Sequence, residues 1–173
     1  VVKEQTFILK GKNYIAEVSN VGGGSIVSYA LTKHLKKSES SLNLIDGYNS
    51  NNLVVSFVNQ SGEIISLDKS WSLVSGGSAN LSETNPEVSF LFTTEHLGRQ
   101  VTKELFFYFD SYEIDISTSL RSLKDVSLDE KYTLSWVGGL PEHEGTQDAM
   151  FMEGLISQVG NIESFRVGAA GFF

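Results

Sequence analysis

The residues able to carry chemistry are few, and their spacing argues against most of it. His34, His96 and His143 fall in predicted loops, and none has a partner at the i, i+4 spacing of a helical zinc pair, so each is read as solvent-exposed. Glu142, His143, Glu144 and Asp148 form the densest group of potential metal ligands or acid/base residues. Neighbouring side chains point apart in an extended segment, so only a tight loop brings 142 and 143 onto one ion. Glycosidase chemistry needs two carboxylates at a set separation with one pKa raised, and twenty-one acidic residues supply chance pairs in any case. Cysteine is absent, which removes thiol nucleophiles, thiolate metal sites and disulfides. No Gly-x-Ser-x-Gly elbow occurs. Gly22-Gly23-Gly24 is not a phosphate loop, because no Gly-Lys-Ser/Thr follows it; it marks a place of positive φ or close backbone approach. No catalytic residue, metal or cofactor is expected.

Two further features have bland readings. Asn59-Gln60-Ser61 and Asn80-Leu81-Ser82 match the N-glycosylation pattern by chance in a chain rich in Asn and Ser. Trp136 is in phase with an apolar strand face and is expected in the core, whereas Trp71 lies in a less regular segment and is expected to be more open.

The elements that position these residues read as strands. Tyr14, Ala16 and Val18 share one face of a strand reached by a turn at Gly11-Lys12-Asn13, and after the glycines Ser25–Leu31 forms the next run. Lys33, His34, Lys36 and Lys37 lead a polar stretch read as a solvated loop, and Leu42, Leu44 and Ile45 close at Asp46-Gly47, with loop again from Asn49 to Asn52. Leu53–Val58 and Glu63–Leu67 flank a hairpin connection, and 75–86 is polar loop. Val88, Phe90 and Phe92 alternate, and Glu95-His96-Leu97-Gly98 separates them from Val101–Phe109. Tyr112, Ile114 and Ile116, and then Tyr132, Leu134 and Trp136, repeat at period two. A short helical turn is expected near 148–155. Nine or ten strands in hairpin series, without βαβ spacing, give an all-β antiparallel sandwich, read as a single domain over 1–173.

Charge narrows the partners. Thirteen basic against twenty-one acidic residues leave −8, which opposes binding to nucleic acid or to anionic headgroups. No run approaches the ~20 apolar residues that span a bilayer, and the N-terminus lacks the plan of a signal peptide. The abrupt start at Val1 reads as the interior of a longer precursor.

Four segments, taken in order, resemble the periplasmic domain of the YidC-type bacterial membrane protein insertases. Asn20-Val21-Gly22-Gly23-Gly24-Ser25-Ile26 with Leu31 is similar to that family's Gly-Gly turn and following apolar strand, and Leu42-Asn43-Leu44-Ile45-Asp46 to the aliphatic segment after it. Gly98-Arg99-Gln100-Val101-Thr102-Lys103-Glu104-Leu105-Phe106-Phe107 with Tyr112, Ile114 and Ile116 looks like its lysine-bearing hairpin, although Leu105 and Phe106 stand where the family usually has tyrosine. Trp136, Gly139, Leu140 and Glu144 match its Trp-x-x-Gly-Leu-x-x-x-Glu segment. The likeness covers about the first 145 residues; the family continues with further strands, so the tail at Gly171-Phe172-Phe173 is either truncated or joined across missing segments.

The resemblance implies a β-supersandwich of the galactose-mutarotase-like class, on the periplasmic side of the bacterial inner membrane, between a first transmembrane helix and the insertase bundle. It implies an accessory module with no catalytic residue, contacting auxiliary subunits of the Sec translocon or nascent membrane-protein clients. The matched residues Gly22, Gly23, Gly24, Lys103, Tyr112, Trp136, Gly139, Leu140 and Glu144 would be structural. Fold alone does not separate this from two rivals: a sugar-acting enzyme of the mutarotase-like class, and a peptide-binding sandwich that adds a ligand strand to an exposed edge.

Overall fold

A computed structural model of the chain describes residues 2–35, 41–45, 52–136, 153–158 and 161–166. The chain divides into two compact units, Val1–Gly139 and Leu140–Phe173. Within the first, twelve strands follow in order among the described residues: β1 Thr6–Lys10, β2 Tyr14–Ser19, β3 Ser25–Leu35, β4 Ser41–Asn43, β5 Asn52–Val58, β6 Ile64–Ser66, β7 Ser72–Ser75, β8 Ala79–Asn80, β9 Glu87–His96, β10 Arg99–Tyr108, β11 Ile114–Ser119 and β12 Thr133–Trp136. Two 3-10 turns, Arg121–Leu123 and Leu128–Glu130, lie between the last two. In the second unit β13 Glu153–Gln158 and β14 Asn161–Arg166 form an antiparallel hairpin. The expected helical turn overlaps the described residues only at 153–155, and these are strand.

Among the described residues three sheets build the first unit, ordered β4-β3-β2-β1-β8, β11-β10-β9-β7 and β12-β5-β6. Pairing is antiparallel apart from β1 with β8, as hairpins in series require. The result is the expected all-β sandwich. More strands form than the nine or ten read from alternation, because β4, β6 and β8 have only two or three residues and are too short to show a period.

Alternation sets which side chains meet. Along β2, Tyr14, Ala16 and Val18 are buried while Ile15 and Glu17 are half-exposed. Along β10 the buried row is Val101, Lys103, Leu105 and Phe107. The first and second sheets pack through aromatic rings: Phe7 of β1 lies 5.9 Å from Phe90 and 6.3 Å from Phe92, both on β9. Each fully buried phenylalanine contributes roughly 1.5–3 kcal/mol of transfer free energy, so this ring cluster is a principal tie between the layers. Tyr14 reaches across from β2 to donate its phenol proton to the Tyr108 carbonyl at 2.8 Å.

Three local expectations change. Lys33 and His34 lie on β3, whose pairing with β4 reaches Leu35 opposite Ser41, so the basic cluster begins on a strand. Asn52 opens β5. His96 ends β9, and the reversal is the two residues Leu97 and Gly98 (φ 54° and 70°), the pair of left-handed conformations that a two-residue hairpin requires.

Candidate functional site

The glycine turn after β2 is held from its neighbours by main-chain bonds. Gly22 N–H donates to the Lys69 carbonyl at 2.9 Å, Trp71 N–H to that of Asn20 at 2.9 Å, and Val21 bridges Ser70. The buried Asn20 amide completes the joint: its Oδ1 accepts from Gln5 N–H at 2.8 Å, and its Nδ2 faces the carbonyls of Trp71 at 2.8 Å and Lys3 at 3.1 Å. Asn20→Ala strands these groups, and urea unfolding is expected to show a loss of about 2–3 kcal/mol.

The glycines lack side chains because neighbours occupy that space. A Cβ on Gly23 would lie 2.6 Å from the Trp71 ring, and one on Gly24 would lie 2.4 Å from Leu105 Cδ1 and 3.0 Å from Phe92. Trp71 is consequently buried at 1% exposure, with its indole N–H donating to the Leu67 carbonyl at 3.0 Å. Trp136 is 45% exposed on β12, which among the described residues is the edge of its sheet. The two tryptophans thus reverse the sequence-based expectation: the turn makes room for the irregular one, and the regular one sits on a strand whose neighbours Thr133 and Leu134 are also exposed.

Lys103 joins the three sheets. Fully buried on β10, it donates from Nζ to the Gly22 carbonyl at 2.7 Å and to the Leu53 carbonyl at 2.5 Å, with Nζ 5.9 Å from the centre of the Trp71 ring. Among the described residues no carboxylate pairs with it. Burial pushes its pKa down to about 7. Leu53 is the extra residue of a bulge in β5, between Asn52 opposite Trp136 and Val54 opposite Ser135, and has φ 58°. That conformation is strained for a branched side chain, and the ammonium holds the carbonyl it turns inward. Asn52 clasps β3 beside it, accepting from Ile26 N–H and donating to the Ile26 carbonyl, both at 2.7 Å.

This arrangement is a pin. The amine's protons go to main-chain carbonyls, and Lys103 lines neither of two clefts on the surface. One, of about 700 Å³, is bordered by β11, both 3-10 turns and Lys131-Tyr132; the other, of about 460 Å³, is rimmed by Tyr108, Asp110, Glu113 and Asp115.

Of the sequence-matched residues, Gly22, Gly23, Gly24 and Lys103 converge. Tyr112 does not join them: it precedes β11, is 48% exposed, and its ring lies 6.3 Å from Tyr14. Trp136 lies on β12. Gly139, Leu140 and Glu144, with Glu142, His143 and Asp148, lie outside the described residues. The His96 ring packs edge-on against Phe57 at 5.6 Å, and His34 contributes backbone to β3. Among the described residues no three His, Asp or Glu side chains are grouped to hold a metal ion. Sequence reasoning missed Asn20, Asn52, Leu53 and Trp71. Asn20 at the start of the glycine run is the one of these that carried a signal, since a short amide beside a turn commonly bonds the backbone.

The family model of the YidC periplasmic domain matches residues 10–166. The chain belongs to that family. No curated protein and no solved structure gives a significant match. As a YidC periplasmic domain, the chain is an accessory domain of a membrane protein insertase, and among the described residues no helix is long and apolar enough to cross a membrane. The matched span runs through the glycine turn, the Trp71 segment and the β9–β10 hairpin, so the Lys103 pin lies wholly within the YidC periplasmic domain.

Proposed function

We propose that this chain is the non-catalytic contact module of its insertase. It assists insertion and folding of inner-membrane proteins by binding auxiliary subunits of the Sec translocon or emerging client segments, while the insertion step belongs to the membrane-embedded part of the full-length protein. The observation that carries this reading is the family match over 10–166. The chemistry supports it: the side chain most like a catalytic group, the buried Lys103 amine, is occupied by two carbonyls. The mutarotase reading asks for a histidine and a glutamate over one concave sheet, whereas His96 packs on Phe57. The single-domain reading of 1–173 is retained in the proposal, with the two units as its parts.

The test is removal of residues 10–166 from the full-length insertase in cells. Co-purification of Sec subunits is expected to disappear and cross-linking of clients to the remaining insertase to fall, with the membrane-embedded part still inserting Sec-independent clients. Unchanged Sec co-purification and client cross-linking overturn the reading, as does sugar mutarotation by the isolated chain above the uncatalysed rate.

A further inference from the structure

One edge of the β11-β10-β9-β7 sheet combines two independent features that point to a ligand. The first is main-chain. β11 pairs with β10 on one side, and among the described residues no strand pairs with the other. Alternate residues of Ile114–Ser119 therefore turn N–H and C=O groups outward, an open template for another strand.

The second is charge. The cleft of about 700 Å³ bordering that edge carries Arg121, Lys124 and Lys131 against Glu130, in a chain whose net charge is −8. Lys124 is paired with Glu130 at 3.0 Å, whereas Arg121 and Lys131 make no ion pair among the described residues. Ser117 and Ser119 border the same cleft, and Tyr132 stands over it 48% exposed.

The walls are preformed. Leu123, in the first 3-10 turn, is fully buried; the Ser127 carbonyl accepts from Gln60 Nε2 at 2.9 Å; and Arg99 grips both Asp125 carboxylate oxygens and the Ser122 carbonyl. A ligand thus meets a groove already shaped, which limits the ordering cost of binding.

We infer that this groove binds an extended acidic segment of a partner polypeptide, added as a strand to β11. In a strand alternate side chains share a face, so acids at every second residue reach Arg121 and Lys131 while the backbone pairs with the edge. A headgroup or a nucleic acid uses the cations and leaves the main-chain edge unpaired. The inference rests on the contact-module reading and names the surface through which a partner is held.

The probe is a fluorescein-labelled octapeptide of alternating Glu and Val, titrated into the whole 173-residue chain beside its Gln-Val counterpart and phosphatidylglycerol vesicles. The acidic peptide is expected to bind at least about tenfold more tightly than the neutral one, and less tightly as salt is added. Amide exchange should slow at alternate positions of 114–119. The exposed pair Arg121→Glu with Lys131→Glu should remove the preference; if that variant does not fold, the wild-type titration and exchange decide. Equal affinity for the two peptides, unchanged exchange along β11, or capture of vesicles with the acidic peptide ignored overturns the inference. Such a failure, with Sec co-purification still lost on deleting 10–166, overturns the groove alone; a groove that binds the peptide while deletion leaves Sec contacts and client cross-links intact overturns the contact-module reading.

Discussion

Replacing Lys103 by methionine is expected to lower the unfolding free energy by about 2–4 kcal/mol, read from urea unfolding, because two buried carbonyls lose their donor. Methionine keeps most of the aliphatic stem, so the loss reports the polar end of the side chain. Two effects oppose each other. Removing a buried ammonium relieves its desolvation, and exchanging buried charges for apolar groups is often neutral. Here, however, the acceptors are the main-chain oxygens of Gly22 and Leu53, which remain whatever stands at 103. Unsatisfied carbonyls in a dry core cost more than is recovered. A methionine variant as stable as the parent refutes the pin.

The same lysine gives stability a pH dependence whose sign follows from linkage. Burial lowers its pKa in the fold to about 7, from 10.5 in the unfolded chain. Below about 7 both states carry the proton and the full cost of burying the ammonium is present. Between those values the unfolded chain holds the proton that the folded chain has released, so stability rises with pH. Tyr14 works the other way at higher pH: burial pushes its phenol up from 10.0 to about 12, and stability falls as the unfolded phenol ionises above 10.0. The lysine slope is therefore read between pH 7 and 10, and Lys103→Met should flatten it.

Much of this core was legible as alternation. The phase that buries Val101, Leu105 and Phe107 also places Lys103 inward, and the same rule on β2 places Tyr14, Ala16 and Val18. The lysine's partners were not legible, because they are main-chain oxygens 81 and 50 residues away with no side-chain signature. Alternation also assigns a face without saying what covers it. Tyr132, Leu134 and Trp136 keep the period, yet all three are exposed, on and just before a strand that, among the described residues, ends its sheet. Trp71 has no period and is buried, because its place is set by a turn some fifty residues earlier whose glycine leaves room for the indole. The basic, Ser-rich stretch from Lys33 reads as loop from its composition; its start continues β3 through pairing that depends on β4.

Alanine at Gly24 is expected to destabilise the fold by about 2–6 kcal/mol, combining strained backbone with an overfilled core. Its φ of 108° is unsuited to an L side chain, and the added Cβ would sit 2.4 Å from Leu105 Cδ1. Gly98→Ala separates the two causes. Its φ of 70° is also left-handed but the space around it is open, so only the backbone cost of about 1–2 kcal/mol should appear. Equal losses at 24 and 98 would mean that the glycine run is kept for conformation alone. A larger loss at 24 ties the turn to the β9–β10 core, and the atom responsible can be named. Shortening Leu105 to alanine removes the clashing methyl, so the double variant Gly24→Ala with Leu105→Ala should lose less than the two single losses added together. Strict additivity would place the crowding elsewhere, on Phe92, whose ring carbons stand 3.0 and 3.3 Å from the same point.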